Sequence, residues 1–216
     1  MKNKTRNFID FILNLLIVLC TIWAVSDYYA SGPDALGSVG NACLKYFTTD
    51  SNILAGIAAL IMLIFNIARF SKPDALIPRW VSVLKYTGTA AVALTLLTVV
   101  FFLGPVFALK SGIKGYMLMF EGNTLILHLT TPLIAIISLL FFEKDNEFSM
   151  GDCLIACLPS FLYSIVYFIM VVCLKLWNDW YNFTLGGKTF MIPVAIVSMY
   201  LATFAISALL RKLRKL

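Results

Sequence analysis

The chain has 216 residues, 61% of them hydrophobic and only 13% charged, with a mean hydropathy of +0.90. A soluble domain carries roughly 25% charged residues, and half that charge does not solvate a 24.1 kDa globule. A soluble enzyme, a disordered chain and a nucleic-acid binder are excluded, and the net charge of +6 reads as cytoplasmic anchoring of a membrane protein.

Hydropathy predicts an all-α polytopic membrane protein, a single integral domain over residues 1–216. Six spans fall at about 8–26, 46–68, 86–109, 122–142, 153–174 and 191–210, each near the ~20 residues that cross a bilayer. The first follows Lys2, Lys4 and Arg6 and imitates a signal peptide, with Ala24-Val25-Ser26 resembling a cleavage site. Its apolar run exceeds a signal core, so it reads as a span. The second opens on the polar run Lys45 to Asn52, and the third holds Gly104-Pro105, a kink signal. The fourth carries Asn123-Thr124 and then His128-Leu129-Thr130-Thr131-Pro132; His128 is the one histidine of the chain. The fifth begins with Cys153-x-x-x-Cys157, two thiols on one helical face with no histidine to complete a metal set. Trp177, Trp180 and Tyr181 form an aromatic belt before the sixth span, beside the sequon Asn182-Phe183-Thr184. Internal repeats of the inverted-transporter kind are absent.

Charge sets the orientation. One side collects both tails, Lys144 and the second loop with Arg69, Lys72, Arg79 and Lys85, twelve Lys and Arg in all. The other side holds five: Lys45, Lys110, Lys114, Lys175 and Lys188. Both termini are therefore expected in the cytoplasm, with Trp80 in an inner belt. Cys43 and Cys173 fall near the outer face, where a disulfide between them is an open alternative to free thiols.

Polar side chains are costly inside a bilayer unless they pair or line a cavity. Thr48 lies about three residues into the second span and His128 about six into the fourth. At 1.5 Å per residue the two share the outer leaflet, within ~5 Å in depth, although 80 positions separate them. Thr48, Ser51 and Asn52 share a helical face, whereas Asp50 points roughly 200° away from Thr48. Thr124 and Thr131 flank His128 on its own face, and Pro132 removes a hydrogen bond to the His128 carbonyl. This set permits acyl transfer: Thr48 as nucleophile, His128 as base, with Thr49, Ser51, Asn52 or Thr131 as oxyanion or substrate donors. Asp50 is the nearest acid to orient the imidazole, with Glu121 and Asp179 as alternatives or, for Asp50, a pairing with Lys45. The chemistry needs no metal or organic cofactor. The same residue types also serve as ordinary helix-to-helix hydrogen-bond bridges.

At these residues the chain resembles the androgen-induced-gene family of integral membrane threonine hydrolases and its bacterial six-span branch. The resemblance rests on Lys45-Tyr46-Phe47-Thr48, on His128 followed by small polar residues and Pro132, on Trp180-Tyr181-Asn182-Phe183, and on the Phe-Thr-x-x-Ser-Asn pattern from Phe47 to Asn52. Animal members carry the proline five residues after the histidine; here it is four, which favours the bacterial branch and a bacterial plasma membrane. The resemblance implies hydrolysis of fatty-acyl esters by Thr48 and His128, with the bilayer and a lipid ester as partners. Two other functions compete. A small transporter or channel would line a path with Asp50, Asn52 and His128; the inner halves of spans two and four read dry, while Thr87, Thr89, Thr95 and Thr98 of span three leave a path open. A sensor or assembly subunit would use the histidine as a pH-responsive group.

Overall fold

A computed structural model describes residues 3–31, 40–72, 74–181, 183–184 and 186–215. Asn182 of the sequon and Lys2 of the charge count lie outside the described residues. Six helices are long and apolar enough to cross a membrane: Lys4–Ala30, Phe47–Ser71, Arg79–Phe120, Gly122–Phe142, Met150–Cys173 and Met191–Leu213. Large apolar side chains such as Trp23, Phe101, Leu109 and Leu201 stand exposed on their outward faces. That distribution fits a lipid solvent, and the chain is an integral multi-pass membrane protein.

The third span is the hub. It touches the second, fourth, fifth and sixth, while the first packs on the second and fourth. The run Thr87-Gly88-Thr89-Ala90-Ala91-Val92-Ala93 is buried throughout, and its small residues let neighbouring backbones approach closely. A Cβ on Gly88 would lie 3.0 Å from the Ala55 Cα, and one on Gly56 would lie 2.8 Å from Thr21 Cγ2. Both contacts admit only glycine without displacement.

The third span is also where the expected boundaries shift most. It starts at Arg79 instead of residue 86 and runs to Phe120, 42 residues in all. That is too long for one crossing at 1.5 Å per residue. The excess folds back at Ser111 and Gly112, where Gly112 has φ 64°. After the reversal the chain lies close enough that a Cβ on Gly115 would sit 2.4 Å from the Phe107 carbonyl oxygen. Gly104-Pro105 follows a π turn over Val99–Leu103, so the expected kink is a widened turn.

Lys85 is no loop cation, as the charge count took it to be. It is 1% exposed inside the third span, and its Nζ lies 3.3 Å from Glu143 Oε1. Ser138 donates to the same Glu143 oxygen (2.6 Å) and reaches Asp10 Oδ1 at 3.2 Å. Asn14 donates to Asp10 Oδ1 at 2.9 Å. Asp10 and Asn14 are ionisable or polar residues inside the first span that hydropathy alone passed over. Nearer the same end, Arg69 grips Asp145 with two bonds of 2.6 and 3.0 Å. The Arg214 guanidinium covers the Glu143 carbonyl. All five cysteines are free. Cys43 is buried among Tyr28 and Tyr46 and Cys173 is exposed, so the open disulfide alternative is not realised.

Removing one partner of a buried ion pair leaves an uncompensated charge, typically at a cost of about 3–5 kcal/mol. Lys85→Met leaves Asp10 and Glu143 facing each other, so a loss of about 3 kcal/mol is expected, and adding Glu143→Gln should restore part of it. Unfolding midpoints of the detergent-solubilised variants check this.

Candidate functional site

Thr48 sits in the first turn of the second span, which starts at Phe47. His128 sits in the fourth span inside a π turn over Ile126–Thr130, where the Thr131 N–H bonds the Ile126 carbonyl. Pro132 offers no N–H to His128, and the wider turn accommodates that loss. The two side chains meet: Thr48 Oγ1 lies 3.5 Å from His128 Nε2. The other ring nitrogen, Nδ1, lies 2.7 Å from the Met119 carbonyl oxygen. A carbonyl only accepts, so Nδ1 carries the ring proton and Nε2 presents its lone pair to Thr48. His128 is 5% exposed. The orienting group is thus a backbone oxygen in the turn Leu118–Phe120, not Asp50, Glu121 or Asp179.

The other expected residues divide by what they touch. Ser51 Oγ and Asn52 Nδ2 donate to the Thr48 carbonyl at 3.1 and 2.7 Å. Asn52 Nδ2 also donates to the Leu127 carbonyl at 3.0 Å, tying the second span to the residue beside His128. Ser51 further meets Thr95 Oγ1 at 2.9 Å. The amide hydrogens of Asn52 are therefore spent on carbonyls, so it and Ser51 position Thr48 and do not point at a reacting oxygen. The hydroxyls of Thr49 and Thr131 are fully buried and, among the described residues, have no hydrogen-bond partner. Thr124 closes on the Glu121 carbonyl at 2.6 Å, and Asn123 donates to Asp27. Asp50 makes no ion pair with Lys45 and opens into a separate pocket beside Tyr163 and Trp177. Among the described residues the Thr48 N–H bonds nothing. It stands at a helix start, where unpaired amides favour negative charge.

The loop between the fifth and sixth spans holds this helix start in place. The Phe47 N–H donates to the Tyr181 hydroxyl (3.2 Å), and the Tyr163 hydroxyl donates to the Lys45 carbonyl (2.7 Å). Trp180 packs on Tyr46 with ring centroids 5.0 Å apart. Tyr181 is placed in turn by Asp179. That carboxylate accepts from the Tyr167 hydroxyl (2.8 Å), the Phe183 N–H (2.8 Å), and the Thr184 N–H and hydroxyl (2.7 and 2.6 Å). Burial opposes ionisation of Asp179, but these donors outweigh it and hold its carboxyl below the usual range. Burial pushes the Tyr181 phenol up to about 12, so it remains protonated. Sequence reasoning took these aromatic residues as a membrane belt. The spacing of Asp179 to Thr184, an acid followed by a hydroxyl in a turn, was the available signal.

Thr48 also lines an apolar cavity of about 450 Å³ between the second, third and sixth spans. Its wall includes Phe47, Leu94, Val99, Phe102, Val194 and Met199, while His128 stands behind Thr48 and outside the cavity. The sixth span, which sequence reasoning left without a role, supplies one side of it. Among the described residues no group of three or more His, Cys, Asp and Glu side chains is arranged to hold a metal. No protein-family model, curated protein or solved structure matches the chain.

Tyr181→Phe removes the bond to Phe47 and should lower stability by about 1 kcal/mol. The Asp179 contribution is complete above the unfolded carboxylate value near 3.9 and is lost as pH falls through its lower folded value. Thermal unfolding scans at decreasing pH should show that acid limb in the native protein and lack it in Asp179→Asn.

Proposed function

We propose that the protein is a membrane-embedded hydrolase of fatty-acyl esters, with Thr48 as nucleophile and His128 as general base. The observation that carries the reading is Thr48 itself, whose hydroxyl lies 3.5 Å from His128 Nε2 and which lines an apolar cavity of about 450 Å³. The motif resemblance around Thr48 and His128 supports it from the sequence side. The distance is at the long end of hydrogen bonding, as is common before substrate closes a catalytic contact.

In this reading a lipid ester enters sideways and lays its acyl chain along Phe47, Leu94 and Met199. Thr48 Oγ1 attacks the ester carbonyl carbon while its proton passes to His128 Nε2. Negative charge gathers on the former carbonyl oxygen, and the Thr48 N–H at the helix start is the donor best placed to meet it. Collapse breaks the ester C–O bond, and His128 returns the proton to the departing alcohol. Water then attacks the acyl-threonine, His128 takes a water proton, and the Thr48 oxygen leaves with that proton as the fatty acid is released. The Met119 carbonyl keeps Nδ1 protonated throughout, so Nε2 always faces the reaction. The same reading puts both termini in the cytoplasm and the reactive pair in the outer leaflet of a bacterial plasma membrane. The Lys and Arg bias supports that orientation.

Purified protein in detergent should hydrolyse long-chain 4-nitrophenyl esters and react with a fluorophosphonate. Thr48→Ala should lose both activities, and His128→Ala should fall by about 10²–10⁴. Equal turnover and labelling in wild type and Thr48→Ala would overturn the assignment.

A further inference from the structure

A second, separate recess lies on the other side of Phe47. It has a volume of about 250 Å³ and is lined by Leu44, Phe47, Asp50, Tyr163, Val166 and Trp177, among others. Asp50 is half-buried there. Among the described residues its carboxylate accepts no hydrogen bond and closes no ion pair. Lys45, the nearest cation in sequence, leaves it unpaired. Three aromatic rings share the recess with it, and Phe47 and Tyr163 meet at 5.2 Å and 59°. The Tyr163 hydroxyl is already spent on the Lys45 carbonyl, so what Tyr163 has left to offer the recess is its ring.

A larger apolar groove of about 940 Å³ lies beside this recess, sharing Pro159 and Leu162 with it and including Leu54, Trp80 and Ile155. Groove and recess together follow the fifth span from Ile155 to Val166, about 16 Å at 1.5 Å per residue. Its far end holds Arg79 and Asp152, which are already closed into an ion pair of 2.7 Å. Groove and recess together therefore have one end closed by an ion pair and one end with an unpaired carboxyl group among aromatic rings. Carboxylate and ring faces together favour an ammonium, and the apolar trough beside them suits an acyl chain.

We infer that the groove between the second, third and fifth spans binds a lipid whose headgroup carries an ammonium, with that ammonium on Asp50 and one acyl chain running past Leu162 towards Trp80. The site is distinct from the one that Thr48 faces, because Phe47 stands between the two recesses. A lipid seated here leaves Thr48 free, and the inference does not depend on ester hydrolysis.

The test uses full-length protein, delipidated in detergent, with the unfolding midpoint as readout. Phosphatidylethanolamine, phosphatidylglycerol of the same chains, and free ethanolamine are titrated in parallel. Phosphatidylethanolamine should raise the midpoint at concentrations where the other two do not. Asp50→Asn should weaken that response about tenfold, the scale of one charged contact. Trp177→Leu should weaken it with Asp50 intact, and Leu162→Trp should block it by filling the groove, so the test survives if one variant fails to fold. Equal responses to the two phospholipids, or an undiminished preference in Asp50→Asn, would overturn the inference. Protection by free ethanolamine equal to that of the lipid would overturn the acyl-chain part, leaving a soluble amine as the ligand.

Discussion

The bond between His128 Nδ1 and the Met119 carbonyl, 2.7 Å long, is the contact on which the reactive geometry depends. Inside a membrane no bulk water is at hand to solvate an imidazole, and each ring nitrogen needs a defined partner. Giving Nδ1 to a backbone acceptor settles the tautomer and turns the Nε2 lone pair towards Thr48. In water-facing triads that role falls to a carboxylate. A carbonyl does it here without adding a charge to the interior. The arrangement requires the turn before the fourth span to bring Met119 over the ring. It also requires a π turn at Ile126–Thr130 to carry His128 past Pro132.

The Thr48 side of the pair is held by a different set of contacts. Its carbonyl takes two donors, from Ser51 and Asn52, and Asn52 extends the link to the fourth span at Leu127. Above it, Tyr181 and Tyr163 secure the backbone on either side of Tyr46, and Asp179 organises the loop that brings Tyr181 there. Separation between the helix bearing Thr48 and the helix bearing His128 is therefore set by protein contacts and not by lipid. Under the proposed hydrolase reading, preorganisation of this kind is what would let a weak nucleophile such as threonine work beside a neutral base. At the opposite end of the bundle, Lys85, Glu143, Ser138 and Asp10 join the first, third and fourth spans through one charged network.

Much of the architecture was legible because hydrophobic length reports directly on bilayer thickness. The second, fourth, fifth and sixth spans begin and end within about three residues of their expected bounds, the scale on which helix ends are ambiguous. The third was misjudged because Lys85 looked like a loop cation; a lysine paired inside the membrane has the same sequence signature as one outside it. Depth arithmetic placed Thr48 and His128 at one level, and the structure brings them to 3.5 Å. What the sequence could not carry was the identity of the orienting group, since any residue has a carbonyl and only the turn geometry selects Met119. Hydrogen-bond direction at Ser51 and Asn52 was hidden for a related reason. Helical spacing places them beside Thr48, but hydrogen-bond direction turns their donors onto its carbonyl. Asp50 was correctly set apart by its 200° offset, though its pocket with Tyr163 and Trp177 depends on the fifth span, which no local pattern reveals.

A Thr48 nucleophile requires that Thr48 Oγ1 become covalently acylated during turnover. The most direct measurement incubates the purified protein with a long-chain activated ester, quenches in acid and maps the acyl group by peptide mass spectrometry. One acyl mass is expected on the peptide carrying Thr48, absent from Thr48→Ala and strongly reduced in His128→Ala. An acyl group on Thr49, Ser51 or any other side chain, or none on a protein that still turns over ester, would contradict it.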